Sequence, residues 1–162
     1  MKTLKLNTAD LVKAGVIAAL YIALTLLNPL SYGAIQFRFS EFLNNLAPFN
    51  KRYIWALTLG CAIANLNSPL GIYDVIFGSL GTLAMTTISY LLGKHIKTVI
   101  GKLAITVTVC TLMSWSVALE YYLLSNSPFW ATYFTVALGE FGAVFFGAII
   151  VFVLNTRIDL TK

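Results

Sequence analysis

Acidic side chains are scarce in this chain, six among 162 residues, and four of them sit where charge is costly. Glu41, Asp74, Glu120 and Glu140 fall within or at the ends of long apolar runs. An ionisable group at mid-membrane costs at least ~2.5–3.5 kcal/mol, so it faces protein or water and is a functional candidate by default. The chemistry open to such a set is recognition, because carboxylates accept hydrogen bonds from N–H groups and pair with cations. The stretch Asn65-Leu66-Asn67-Ser68-Pro69-Leu70-Gly71-Ile72-Tyr73-Asp74 interrupts two apolar runs with polar side chains, and a small polar molecule would be met there.

Each residue also has a plainer reading. Asp74 serves equally as a cap or first-turn carboxylate steadied by a helix dipole. Glu41 is spaced to pair with Arg38 at i and i+3 on a helix. Asn44 and Asn45 read as interhelical hydrogen-bonding groups or as ligand contacts. Trp115 and Tyr121 read as core packing or interfacial aromatics. Glu140 has no cation near it in sequence, and its neighbours Gly139, Gly142 and Gly147 allow close helix approach, so a hydrogen bond across a tight contact is its plain reading.

Composition dictates the elements that must position these groups. The chain is 59% hydrophobic and 10% charged, with a mean hydropathy of +0.83. Soluble domains are about 45–50% apolar and about 25% charged. A soluble core cannot hide this much apolar surface, so the chain reads as a single integral-membrane domain over residues 1–162. The apolar runs are too long for barrel strands and fit the ~20-residue span of a membrane helix. Six segments follow: about Asp10 to Asn28, Phe39 to Phe49, Tyr53 to Leu66, Ile72 to Leu92, Leu103 to Leu124 and Phe129 to Leu154. The second is short and polar, suited to a tilted or broken helix buried among neighbours, or to a re-entrant piece. The first run is too long for a cleavable signal peptide and lacks a small-residue cleavage site.

Basic residues set the topology. If all six segments cross, one side carries Lys2, Lys5, Lys13, Lys51, Arg52, Lys94, Lys97, Lys102, Arg157 and Lys162, and the other only Arg38. The expected architecture is an all-α membrane protein, six transmembrane helices in a compact bundle with both termini cytoplasmic. The net charge of +5 therefore reports topology and not nucleic acid. In this topology Glu41, Asp74, Glu120 and Asn65 lie toward the outer face. Glu140, about eleven residues into its segment at 1.5 Å per residue, lies roughly at mid-membrane.

Other chemistry is missing from the sequence. There is no phosphate-binding loop and no dinucleotide fingerprint. The single His lies in a basic loop, away from the carboxylates, and forms no metal-ligand spacing with Cys61 or Cys110, which read as small hydrophobes. The chain is suited to bind a small molecule but carries no engine of its own. In the first segment, Ala14 and Ala18, and the parallel stripe Gly15, Ala19 and Ala23, recur at four-residue spacing. Such spacing lets another helix approach closely, within the bundle or from another membrane protein.

Three stretches carry a resemblance: Leu30-Ser31-Tyr32-Gly33-Ala34-Ile35-Gln36-Phe37-Arg38-Phe39-Ser40-Glu41, then Gly60-Cys61-Ala62-Ile63-Ala64-Asn65, then Ser68-Pro69-Leu70-Gly71-Ile72-Tyr73-Asp74-Val75-Ile76-Phe77-Gly78-Ser79. Together they resemble the QueT family of substrate-binding S components of energy-coupling factor (ECF) transporters, associated with queuosine precursors. Specific motifs cover about Ala14 to Leu92, and beyond that the likeness rests on hydropathy and Gly139-Glu140.

The resemblance implies a multi-pass protein of the cell membrane that captures its substrate from outside. It implies docking of the first helix, at an A-x-x-x-A motif mapping onto Ala14 and Ala18, on a transmembrane coupling subunit. Two cytoplasmic ATPases would consume the ATP, and this chain would need no cofactor or metal. A 7-deazaguanine presents a donor edge that one carboxylate can accept, and its aminomethyl form adds a cation wanting a second. Glu140 or Glu120 would read the edge and Asp74 or Glu41 would face the amine. Asn65 and Gln36 would add amide contacts, and Trp115, Tyr73 or Phe37 an aromatic face. The loop from Pro29 to Arg38 would close over the site. Competing readings are an S component for riboflavin, a pterin or a pyrimidine, a self-sufficient permease or small channel, and a scaffold whose carboxylates are all paired.

Overall fold

The computed structural model describes residues 8–32 and 37–161. Apolar runs bounded by Pro, Gly and Asn become helices, and no strand occurs among the described residues. Helix α1 spans Thr8–Leu27, α2 Arg52–Asn65, α3 Ile72–Gly93, α4 Val99–Met113, α5 Trp115–Ser125 and α6 Phe129–Asn155. Between α1 and α2 runs a 3-10 helix, η1, over Phe39–Phe49. Four stretches are long and apolar enough to cross a membrane: α1, α3, the α4–α5 run Val99–Ser125, and α6. The segment read as one helix from Leu103 to Leu124 is therefore two, broken at Ser114, whose hydroxyl reaches back to the Cys110 carbonyl at 3.3 Å.

The short second segment is the hub. Runs of 3-10 helix beyond three or four residues are uncommon, yet η1 has 11 residues. All of them except Phe39 and Phe42 are buried. η1 packs against α1, α2, α3, α4 and α6, so its irregular backbone is shielded from lipid, the condition under which such backbone survives at membrane depth. The surrounding helices close on it through residues without side chains. A Cβ at Gly147 of α6 would collide with Phe42, and one at Gly93 of α3 would stand 2.6 Å from Pro48.

The two ends of the bundle differ in charge. At one, Arg52 pairs with Asp10, tying α2 to α1, and Asn50 Nδ2 donates to the Thr161 carbonyl at 2.9 Å. Both described chain ends thus lie together, beside Lys51, Lys102 and the Lys94–Thr98 turn. At the other end lie Arg38, the Asn65–Gly71 turn and the start of α3, where Gly71 takes a positive φ of 59° that favours a residue without a Cβ.

On α1, Ala18 is buried against α2: a Cβ at Gly60 would stand 3.1 Å from the Ala18 carbonyl oxygen. Ala14 is half-buried, while Gly15, Ala19 and Ala23 are exposed. Of the two small-residue stripes, Gly15, Ala19 and Ala23 form the one that faces outward. Cys61 and Cys110 are free and buried.

Candidate functional site

The site is built from η1 outward. Glu41, in its first turn, is buried and held on both oxygens: Tyr21 Oη donates to Oε1 and Asn44 Nδ2 to Oε2, each at 2.5 Å. Tyr21 is fully buried, and Thr25, one turn further along α1, donates to Ser40 Oγ at 2.7 Å. Asn28, just past the end of α1, donates to the Phe37 carbonyl at 2.5 Å and accepts from the Leu30 N–H at 3.0 Å. These three residues make a polar stripe along the last turns of α1 and just beyond, and it fixes the entry to η1.

Arg38 is the one Lys or Arg at this end of the bundle among the described residues, and it is buried. Its Nε donates to the Ser31 carbonyl at 3.1 Å, its guanidinium lies 5.5 Å from the Tyr32 ring centre, and its Nη2 stands 3.6 Å from Asp74 Oδ1. Asp74 also accepts from the Ser68 hydroxyl. Asn65 Nδ2 donates to the Asp74 carbonyl at 2.9 Å, and Gly78 gives it room, since a Cβ there would strike that amide. The local pairing of Arg38 with Glu41 expected from their spacing gives way to this long-range pair. Tyr21 and Asn44 already occupy Glu41, so the guanidinium reaches across to α3.

Glu120 and Glu140 complete the group. Glu120, from α5, is fully buried beside Arg38 and against the Asp74 carboxyl, and no other group donates to either of its oxygens among the described residues. Glu140, from α6, faces Glu41 and Arg38 and leaves Oε1 unpartnered among the described residues. A small cavity of about 30 Å³ lies between Arg38, Glu41, Gly78, Thr82, Ser116 and Glu140, enough for about one water molecule. Four carboxylates gather around one guanidinium, so acceptors exceed donors. A buried carboxylate left uncompensated costs several kcal/mol. Such a site is poised to take a ligand rich in N–H donors or carrying positive charge.

The structure thus brings Glu41, Arg38, Glu140, Asp74, Asn65 and Glu120 together. Phe37 sits beside them, its ring 3.3 Å from where a Cβ at Gly142 would stand and 5.1 Å edge-on from the Phe39 ring. Tyr73 and Trp115 are not brought in: they are 50% and 45% exposed, and Trp115 lines an apolar outer groove with Ile76, Leu80 and Leu119. Helical phase decides this, because their neighbours Asp74 and Ser116 take the inward positions. Gln36 lies outside the described residues. The ring that does line the cavity is Phe77. Sequence reasoning passed over Tyr21, Ser68, Phe77, Thr82 and Ser116. The spacing of Tyr21, Thr25 and Asn28 at i, i+4 and i+7 was the available signal.

Comparison with known proteins follows the same direction. The family model described as QueT transporter matches residues 11–156. The Queuosine precursor transporter QueT of Lactococcus lactis subsp. cremoris (strain MG1363) is 40% identical over 168 aligned residues, covering 98% of this chain and 99% of that protein. No solved structure matches the chain. A sequence match that runs nearly end to end, over a helical bundle with a buried acidic site, places this chain in the QueT transporter family.

Proposed function

We propose that this chain is the substrate-binding S component of an ECF-type importer, capturing a queuosine precursor of the 7-deazaguanine class from outside the cell. The observation that carries the reading is the excess of buried acids over donors among the described residues, with Glu120 set against Asp74 and Oε1 of Glu140 unpartnered beside a single Arg38. A guanine-like edge offers a ring N–H and an exocyclic amine to one carboxylate, and an aminomethyl group offers a cation to another. Glu120 or Glu140 takes the edge. Asp74 takes the amine in exchange for Arg38, because Glu41 is already held by Tyr21 and Asn44. Asn65 and Gln36 add amide contacts, and Phe77 or Phe37 supplies the ring face.

A drug-sized ligand fills a pocket of about 300–1,000 Å³, whereas the present cavity is about 30 Å³. Binding therefore widens the site, and the Arg38–Asp74 pair at 3.6 Å is the contact that must yield. In this reading the chain crosses the cytoplasmic membrane six times, with η1 and α2 completing the count and both termini on the cytoplasmic side. The exposed stripe Gly15, Ala19 and Ala23, with Ala14 at its edge, docks on the coupling subunit, since Ala18 is committed to α2. Two partner ATPases supply the energy, in keeping with a sequence that has no phosphate-binding loop.

The test is calorimetric binding of 7-aminomethyl-7-deazaguanine to the purified protein, followed by uptake into vesicles with and without the coupling subunit and ATPases. Binding by the isolated chain, with uptake only in the full assembly, is expected. Absence of binding removes the substrate assignment, and uptake by the chain alone makes it a self-sufficient permease.

A further inference from the structure

A cavity larger than the acidic one shares none of its lining residues. It is a groove of about 450 Å³ between α4 and α6, lined by Leu103, Val107, Thr108, Phe141, Phe145 and Phe152 among others. Its one polar side chain, Thr108, donates its hydroxyl to the Ala104 carbonyl at 2.9 Å, which leaves nothing to recognise a polar ligand. Phe141 and Phe145 stack along one wall with centroids 5.5 Å apart. Both helices belong to the long apolar runs, so the groove opens to hydrocarbon.

One end of the groove is charged. Leu103 shares a core cluster with Val151, and Val107 shares one with Val144, so α4 and α6 run antiparallel. Ile100 and Phe152 therefore mark the end where the α3–α4 turn and the segment after α6 emerge. There Lys94 and Lys97 are exposed in the turn and Arg157 is exposed just past α6. Among the described residues the acids of that end are Asp10, paired with Arg52, and Asp159, which accepts from Thr161, so its cations outnumber its acids. A hydrocarbon slot that ends in an excess of cations is complementary to an anionic amphiphile.

We propose that the groove holds an acyl chain of an anionic phospholipid, whose phosphate is met by Lys94, Lys97 and Arg157. A basic residue near the membrane surface favours an anionic headgroup by about fivefold. This site is separate from the acidic cavity and stands whether or not the substrate reading does.

The test uses the full chain reconstituted in equal parts phosphatidylglycerol and phosphatidylcholine of matched acyl chains, then extracted and examined by native mass spectrometry. The wild type is expected to retain phosphatidylglycerol in preference. The Lys94→Gln, Lys97→Gln, Arg157→Gln variant loses that preference by about fivefold per charge. The Ala104→Phe, Thr108→Phe variant keeps every charge, fills the groove at two exposed positions, and loses retention of the lipid. A second measurement does not depend on that variant folding. Phe145→Trp, with Trp55, Trp115 and Trp130 replaced by Phe, is quenched more strongly by brominated phosphatidylglycerol than by brominated phosphatidylcholine. Equal retention of the two lipids by the wild type overturns the proposal. So does undiminished retention in the folded, filled-groove variant, or equal quenching by the two brominated lipids.

Discussion

Replacing Glu120 and Glu41 separately by Met should move thermal stability in opposite directions. Both are buried acids near Arg38, but only one is held by neutral donors. Glu120 meets only another acid, the Asp74 carboxyl, and no N–H or neutral hydroxyl donates to either of its oxygens among the described residues. Met there removes an unsatisfied buried group that costs about 1–3 kcal/mol. At about 2–4 °C per kcal/mol for a chain of this size, the melting temperature of the ligand-free protein should rise by roughly 2–12 °C. Glu41 accepts from Tyr21 and Asn44, both fully buried. Met there orphans two donors, about 2–6 kcal/mol together, and should lower the melting temperature by roughly 4–24 °C. The assay is thermal unfolding in detergent without ligand, followed by tryptophan fluorescence and by loss of monodispersity. A fall in stability for Glu120→Met comparable to that for Glu41→Met would refute the reasoning, because Glu120 would then be a structural partner and not an idle acceptor.

Further expectations follow from the same geometry. Glu140→Gln and Asp74→Asn should each weaken binding of 7-aminomethyl-7-deazaguanine more than tenfold in calorimetry, and wild-type affinity in either removes that residue from the site. Asp74→Asn should matter less for an analogue whose amine is replaced by a neutral group, and an equal loss for both ligands contradicts the pairing of Asp74 with the amine. Gly15→Leu with Ala19→Leu should leave ligand binding intact while abolishing energised uptake, whereas Ala18→Leu should lower the melting temperature by forcing α1 from Gly60; reversed outcomes would exchange the faces. Gly147→Val should abolish a folded product in size-exclusion chromatography, since even a Cβ there collides with the η1 backbone at Phe42.

Much of this architecture was legible because strong breaks interrupt strongly apolar runs. Pro29, the Asn65–Gly71 turn and Pro128 mark ends that the structure reproduces within a few residues. The break at Ser114 was not legible, since no Pro or Gly announces it and the flanking sequence is mostly apolar. Nor was the winding of Phe39–Phe49, because its length and polarity showed only that it must be buried, and its 3-10 geometry belongs to a segment wedged among five helices. At the site, the acids could be named by type and depth, but their partners could not. Arg38 and Glu41 are close in sequence and pair elsewhere, because Tyr21, twenty positions before Glu41, claims the carboxylate first. Tyr73 and Trp115 show the complementary limit: residue type proposed them as ring platforms, while helical phase turned them outward.

The groups proposed for recognition are contributed one apiece by separate elements, Glu41 by η1, Asn65 by α2, Asp74 by α3, Glu120 by α5 and Glu140 by α6. No single element therefore holds the site, and unfolding any one of them removes a group from it. A molecule held by all five is linked to the integrity of the entire bundle. At a hundredfold excess over its dissociation constant it would add about 2.7 kcal/mol to global stability, which makes resistance to heat a direct gauge of occupancy.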